Sequence, residues 1–159
     1  MTGAPLEGVR VLDFSTLLPG PLATLYLAQA GAEVIKIERP GTGDPVRSYP
    51  PFQEGKSILF ELLNGGKHSV ALDLKDQAPR SHLLDLVRSV DVLVEQFRPG
   101  VMARLQLDFD SLRIVHPELI YCSISGYGQH GARNQVVGHD LNYQAWTGLL
   151  ALAGEHDGR

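Results

Sequence analysis

The sequence predicts an α/β fold: an open parallel sheet with helices on both faces. Three observations carry this expectation. Short runs of Val, Ile and Leu alternate with stretches of helical periodicity along the chain. Gly and Pro punctuate the boundaries, with 17 Gly and 10 Pro in 159 residues. No internal repeat or low-complexity block interrupts the alternation. Strand–helix alternation of this kind builds βαβ units with right-handed crossovers and helices over both sheet faces.

The elements follow in order. Gly8 to Phe14 (GVRVLDF) reads as a buried strand that ends on an acidic residue and a Gly/Pro turn. Pro21 opens a helix at its first position, where a missing N–H costs nothing. Leu22 to Ala30 carry apolar residues at helical spacing, and Gly31 ends the helix. Glu33 to Ile37 form a second strand, and the Pro- and Gly-rich stretch to Pro51 is a surface loop. Phe52 to Gly65 admits a short helix through Leu62 and Leu63. Ser69 to Leu74 is a third strand. Gln77 to Val90 is a helix with Leu83, Leu84, Leu86, Val87 and Val90 inward. Asp91 to Phe97 is the fourth strand, and Gly100 to Leu105 a short helix. Asp108 opens another helix that Pro117 stops. Leu119 to Ile124 is the fifth strand, and Asp140 to Leu152 the last helix.

Composition excludes several classes of function. Eighteen acidic residues outnumber fourteen basic ones, giving a net charge of -4. No basic face is available for nucleic acid. No apolar run approaches a membrane span, and the opening MTGAPLEGVRVLDF lacks the pattern of a signal peptide. The single cysteine, Cys122, forms no internal disulfide, so a reducing, cytoplasmic setting is expected. Cys122 lies mid-strand and reads as a small core residue.

In such a sheet ligands sit at the carboxyl ends of the strands. Three loops there carry usable chemistry: Thr16 to Pro21, Glu38-Arg39-Pro40, and Gln96 to Gly100. A nicotinamide dinucleotide is a poor fit, because the first turn offers only Gly20 and no GxGxxG. There is no P-loop, no HxxxH or HExxH spacing for a metal, and no GxSxG elbow around Ser123 or Ser125. Arg39 beside Glu38 suits a phosphate-bearing ligand, while composition alone favours a solvated surface pair. His139 and Asp140 follow Gly138, where the backbone can turn sharply. Asp140 is expected to cap the next helix. The helix N-terminus then disfavours an imidazolium at His139 and leaves a ring that accepts a proton. The alternative is a surface turn histidine beside an ordinary cap.

Taken together, five segments resemble the family III CoA-transferases, also called the CaiB/BaiF family. The group includes formyl-CoA transferase, carnitine CoA-transferase and α-methylacyl-CoA racemase. The first segment is GVRVLDFSTLLPGPLATLYLAQAGAEVIKIERPGTGD. SVALDLK, DVLVEQFRPGVMARL, HPELIYCSISGYGQ and GHDLNYQAWTGLLALAG continue it in register. The resemblance implies an open parallel Rossmann-like domain binding coenzyme A, a second smaller domain, and an interlocked homodimer. It implies no permanently bound cofactor, since coenzyme A arrives as part of the acyl-CoA substrate. Carried over by position, the CoA contacts are Leu17, Leu18, Arg39, Leu72, Lys75, Gln96, Phe97 and Arg104. Arg39, Lys75 and Arg104 would meet phosphate, and Leu72 and Phe97 adenine. Gly65 and His68 stand where Arg is common, Gln96 replaces a frequent Asn, and Gln106 a frequent Gly. His130-Gly131-Ala132 stands where a Gly-Pro turn is usual.

Racemases of the family resemble GHDINY, and this chain has GHDLNY from Gly138 to Tyr143. The expectation is therefore a racemase-like enzyme that inverts C2 of a 2-methylacyl-CoA through an enolate. His139 is its acid/base and Asp140 its partner. The alternatives are a transferase that moves CoA between carboxylic acids, and a non-catalytic CoA-binding or dimer-interaction fragment. Family members are longer. Residues 1–159 are expected to be the N-terminal part of the large domain, with the small domain and the second catalytic carboxylate beyond Arg159. Alone, such a chain is expected to be inactive.

Overall fold

The computed structural model describes residues 3–76 and 80–153. They form two compact units, which divide between Ile124 and Ser125.

The first unit is built on a five-stranded sheet. Its strands and helices run β1 (Arg10–Asp13), α1 (Pro19–Gln29), β2 (Glu33–Glu38), β3 (Phe52–Gln53), β4 (Lys56–Ser57), α2 (Ile58–Asn64) and β5 (His68–Ala71). They continue with α3 (Arg80–Arg88), β6 (Val92–Glu95), α4 (Val101–Arg104), α5 (Phe109–Val115) and β7 (Ile120–Ser123). The strand order is β5-β2-β1-β6-β7, and every pairing in this sheet is parallel. From β1 the chain steps outward through β2 to β5, then returns to β6 on the other side of β1. That reversal makes the carboxyl ends of β1 and β6 a topological switch point, where ligands of open α/β sheets bind.

Both faces are apolar, as continuous Val/Ile/Leu runs in a parallel sheet require. Leu12, Ile35 and Leu93 pack with Leu83 and Val87 of α3, Met102 of α4 and Leu112 of α5. Val11, Val34 and Val94 form a smaller cluster against Leu27 and Ala28 of α1. Leu12, Leu93 and Val87 are fully buried.

The predicted strands are all present, with local corrections. The first helix begins at Pro19, two residues before Pro21. Its first turn leaves N–H groups unpaired in any case, so both prolines fit. Gly31 follows the helix at φ 104, the left-handed conformation that favours glycine. Phe52 to Gly65 is a short antiparallel pair, β3–β4, followed by α2, whose N-cap is Ser57. The third strand spans His68–Ala71 and is exposed along its length, as an edge strand. Of the predicted helix from Gln77, residues 77–79 lie outside the described residues, and α3 ends at Arg88. Cys122 is exposed rather than core, because β7 is the other edge of the sheet.

The second unit holds α6 (Asp140–Thr147) and a 3-10 turn, Leu149–Leu152. A continuous helix to Leu152 was expected. Gly148 breaks it, at φ 79. None of the described residues from 125 to 153 is buried. Among the described residues no helix is long and apolar enough to cross a membrane.

Candidate functional site

The topology carries the candidate coenzyme A residues beyond the carboxyl ends of the strands. Leu17 and Leu18 follow β1, Arg39 follows β2, Leu72 and Lys75 follow β5, and Gln96 and Phe97 follow β6. These are four adjacent strands. Arg104 ends α4, the helix that follows the Gln96 loop. Leu18, Arg39, Lys75 and Arg104 are exposed, while Leu72 and Phe97 are half-buried against the main core cluster. Exposed cations and partly covered apolar side chains are the two kinds of group that a ligand with phosphates at one end and a flat ring at the other requires.

The turn after β1 is held from several sides. Ser15 N–H donates to Asp13 Oδ1 at 2.8 Å, and the Ser15 hydroxyl donates to the same oxygen. Lys36 Nζ donates to Ser15 O at 2.7 Å. Gln96 Nε2 donates to Thr16 O, and Gly20 N–H donates to Gln96 Oε1 at 3.1 Å. Leu17 sits at φ 64, a region that leucine rarely adopts. Its N–H donates to Asp44 Oδ1 at 3.2 Å. Gly20 admits no side chain, since a Cβ there would lie 2.1 Å from Ser15 Cβ. Gln96 is therefore a brace of the turn from within the protein. Its side chain bonds both Thr16 and Gly20.

Beneath this turn lies a buried network of charges that sequence reasoning missed. Asp13 Oδ2 accepts from Thr24 Oγ1 at 2.6 Å and lies 3.4 Å from Lys67 Nζ. Lys67 also donates to Pro21 O, Thr24 Oγ1 and Asn64 Oδ1. Burial lowers the Lys67 pKa, and the Asp13 carboxylate opposes that shift. Lys36 pairs with Asp44 at 2.9 Å, both fully enclosed. The available signal was the period of the second strand. Lys36 interrupts the apolar run EVIKI on the face it shares with Val34, and a lysine is almost never buried without a partner.

Glu38 is not a surface partner of Arg39. It is buried, and it accepts two hydrogen bonds from Arg47, both at 2.7 Å. Ser69 Oγ donates to it at 2.6 Å and Asp44 N–H at 2.8 Å. Burial alone would raise its pKa. Arg47, Ser69 and the Asp44 N–H outweigh that and hold it at about 2. Arg39 is thus left exposed beyond the carboxyl end of β2. On the opposite face, Glu95 accepts from Ser123 Oγ and Phe97 N–H, and burial raises its pKa.

A cavity of about 460 Å³ lies beside α2, lined by Lys36, Glu38, Arg47, Phe60, Lys67 and Ser69 among others. None of the candidate site residues lines it. Lys36, Glu38, Arg47 and Lys67 are already paired with protein groups.

His139 and Asp140 lie in the second unit. His139, not Asp140, is the N-cap of α6. Its N–H donates to Asn142 Oδ1 at 2.9 Å. Asp140 is the first helical residue, and its carboxylate accepts from Gln144. Both are exposed. Gly138 serves by lacking a Cβ, which would stand 2.8 Å from the Tyr143 ring. The Tyr143 hydroxyl donates back to Gly138 O at 3.0 Å, so GHDLNY closes on itself through its first and last residues.

This chain is similar to acetyl-CoA:oxalate CoA-transferase of Acetobacter aceti, at 43% identity over 97% of this chain and 40% of the relative. It is equally similar to succinyl-CoA:glutarate CoA-transferase of Mus musculus, at 43% identity over 97% of this chain and 36% of the relative. Among solved structures it resembles a CAIB/BAIF family protein of Brucella suis, with a TM-score of 0.91 and 35% identity. That match covers 98% of this chain and 42% of the other. The chain therefore spans about two-fifths of the length of the proteins it matches. The family model described as CoA-transferase family III matches residues 6–159. An all-parallel sheet of this strand order, with nearly the whole chain inside that match, makes this protein a member of CoA-transferase family III.

Proposed function

We propose that the protein carrying this chain is a CoA-transferase that moves coenzyme A from an acyl-CoA thioester to a small carboxylate. In the net exchange the donor's thioester C–S bond breaks and a new C–S bond forms on the acceptor's carboxyl carbon, while one acceptor C–O bond breaks and its oxygen passes to the donor acyl group, which leaves as a carboxylate. The observation that carries this reading is the identity of the relatives. Proteins more than 40% identical to this chain are named for transfer to oxalate and to glutarate. This reverses the weight given to the two enzymatic readings, because the relatives favour the transferase over the racemase.

In this chain, Arg39, Lys75 and Arg104 would hold the phosphates of coenzyme A by charge-assisted hydrogen bonds. Leu72 and Phe97 would flank its adenine. The Leu17–Leu18 turn would offer backbone groups beyond the carboxyl end of β1. The second catalytic carboxylate that the resemblance implies is not among these candidate residues and is expected beyond Arg159.

The racemase remains a second reading on one observation, the GHDLNY segment with its exposed His139. One assay separates the two. The protein is given succinyl-CoA with labelled glutarate or oxalate, and separately a 2-methylacyl-CoA in deuterated water. Label appearing in a new thioester supports the transferase. Deuterium entering at C2 without label transfer, and lost in His139→Ala, overturns it in favour of the racemase.

A further inference from the structure

We propose that Asp44 is a positioning residue for the coenzyme A site, its carboxylate fixing the Leu17 turn against the Arg39 loop. The proposal rests on the coenzyme A reading above. Four observations carry it. Asp44 is buried, 1% exposed, although it lies in a loop. Its Oδ1 accepts from Leu17 N–H at 3.2 Å and from Val46 N–H at 3.0 Å. Its Oδ2 pairs with Lys36 at 2.9 Å, and Lys36 also grips Ser15 O. Its own N–H donates to Glu38, and the loop it ends is closed by Gly43 N–H donating to Arg39 O at 2.9 Å.

One carboxylate thus ties together two of the four strand ends that carry the candidate contacts. It also supplies an acceptor to a left-handed leucine, a conformation that persists only when its surroundings impose it. Without that acceptor Leu17 would relax toward ordinary backbone angles. The turn would then lose its fixed relation to Arg39, two residues that the proposed ligand must touch at once. A ligand contacting both needs them preorganised, and disorder in either is subtracted from affinity.

The test compares Asp44→Ala with Asp44→Asn in the protein carrying this chain, by calorimetric titration with coenzyme A. Both variants lose the ion pair to Lys36. Only the alanine variant loses the acceptor for Leu17, since Asn keeps an oxygen at the Oδ1 position. A buried N–H left without an acceptor corresponds to about tenfold. Asp44→Ala is therefore expected to bind coenzyme A about tenfold more weakly than Asp44→Asn. Equal affinities would overturn the proposal. Should the single variants fail to fold, the same pair is made in a Lys36→Met background, where neither strands a buried cation. Amide hydrogen exchange at Leu17, without ligand, gives an independent readout. Faster exchange in Asp44→Ala than in Asp44→Asn supports the hold on the turn, and equal exchange overturns it. Wild-type protein that binds no coenzyme A sinks the coenzyme A reading itself, and the exchange result still decides whether Asp44 holds the turn.

Discussion

The two units, residues up to Ile124 and residues from Ser125, share a similar apolar vocabulary and use it in opposite ways. In the first, Leu12, Leu93, Val11 and Val34 have no exposure at all. In the second, Leu141, Trp146 and Leu152 are 66%, 61% and 83% exposed. The second unit is held by local contacts: the Tyr127 and Tyr143 rings 5.5 Å apart, Arg133 3.6 Å above the Trp146 ring, and Tyr143 folded back onto Gly138. A helical pattern of Leu and Trp therefore says that a face is apolar and nothing about what covers it. Burial is a property of the partner.

The contrast can be broken or sharpened by substitution. The largest effect is expected at the buried charges of the first unit. Asp13→Ala removes the acceptor for Thr24 and the partner of Lys67, and breaking such a buried pair costs about 3–5 kcal/mol. Urea denaturation checks this, and a loss below about 1 kcal/mol would mean the network contributes little. Next comes the apolar core. Leu93→Ala is expected to cost about 2–5 kcal/mol through lost transfer energy and a residual cavity. Trp146→Ala in the second unit should cost only about 0.5–1 kcal/mol, the scale of an exposed cation–π contact with Arg133. If the two changes shifted the denaturation midpoint equally, the distinction between the units would fail.

Acid should act through the first unit. Glu38 has a folded pKa of about 2, below its ordinary value of 4.5. Its contribution to stability is therefore fully present above pH 4.5 and is lost as pH falls from 4.5 toward 2. The stability gap between wild type and Glu38→Gln should narrow over that window. Glu95 has the opposite sign. Its pKa is raised by burial, so ionisation disfavours the fold and Glu95→Gln should lose less stability at neutral pH than Glu38→Gln. Thermal melts at pH 7 and pH 3 give both comparisons. The smallest effect is expected at Leu152, where Leu152→Ser should stay within about 0.5 kcal/mol, as exposed positions do.

Strand positions, the parallel arrangement and the strand ends that collect the candidate ligand residues all follow from the chain's own pattern. A Val/Ile/Leu run with a turn at its carboxyl end leaves little choice once helices separate the runs. The Asp108 and Gly31 boundaries were legible because a cap and a left-handed glycine are local chemistry. The misreadings share one cause. Cys122 looked like core because its strand is apolar, but its place at the sheet edge is set by which strand pairs with which. Glu38 looked like the partner of Arg39 because they are neighbours, and Arg47 won it by arriving with two hydrogen bonds.

Asp13, Lys36, Asp44 and Lys67 stand far apart in sequence, and no spacing rule links them. The sequence by itself determined the order of strands and helices and the family, because these rest on local pattern and register. Only the tertiary structure decided which charges are buried together, which apolar faces are covered, and that Gln96 braces the turn after β1. Those outcomes depend on long-range contacts, whose energies appear only after distant strands have been brought side by side.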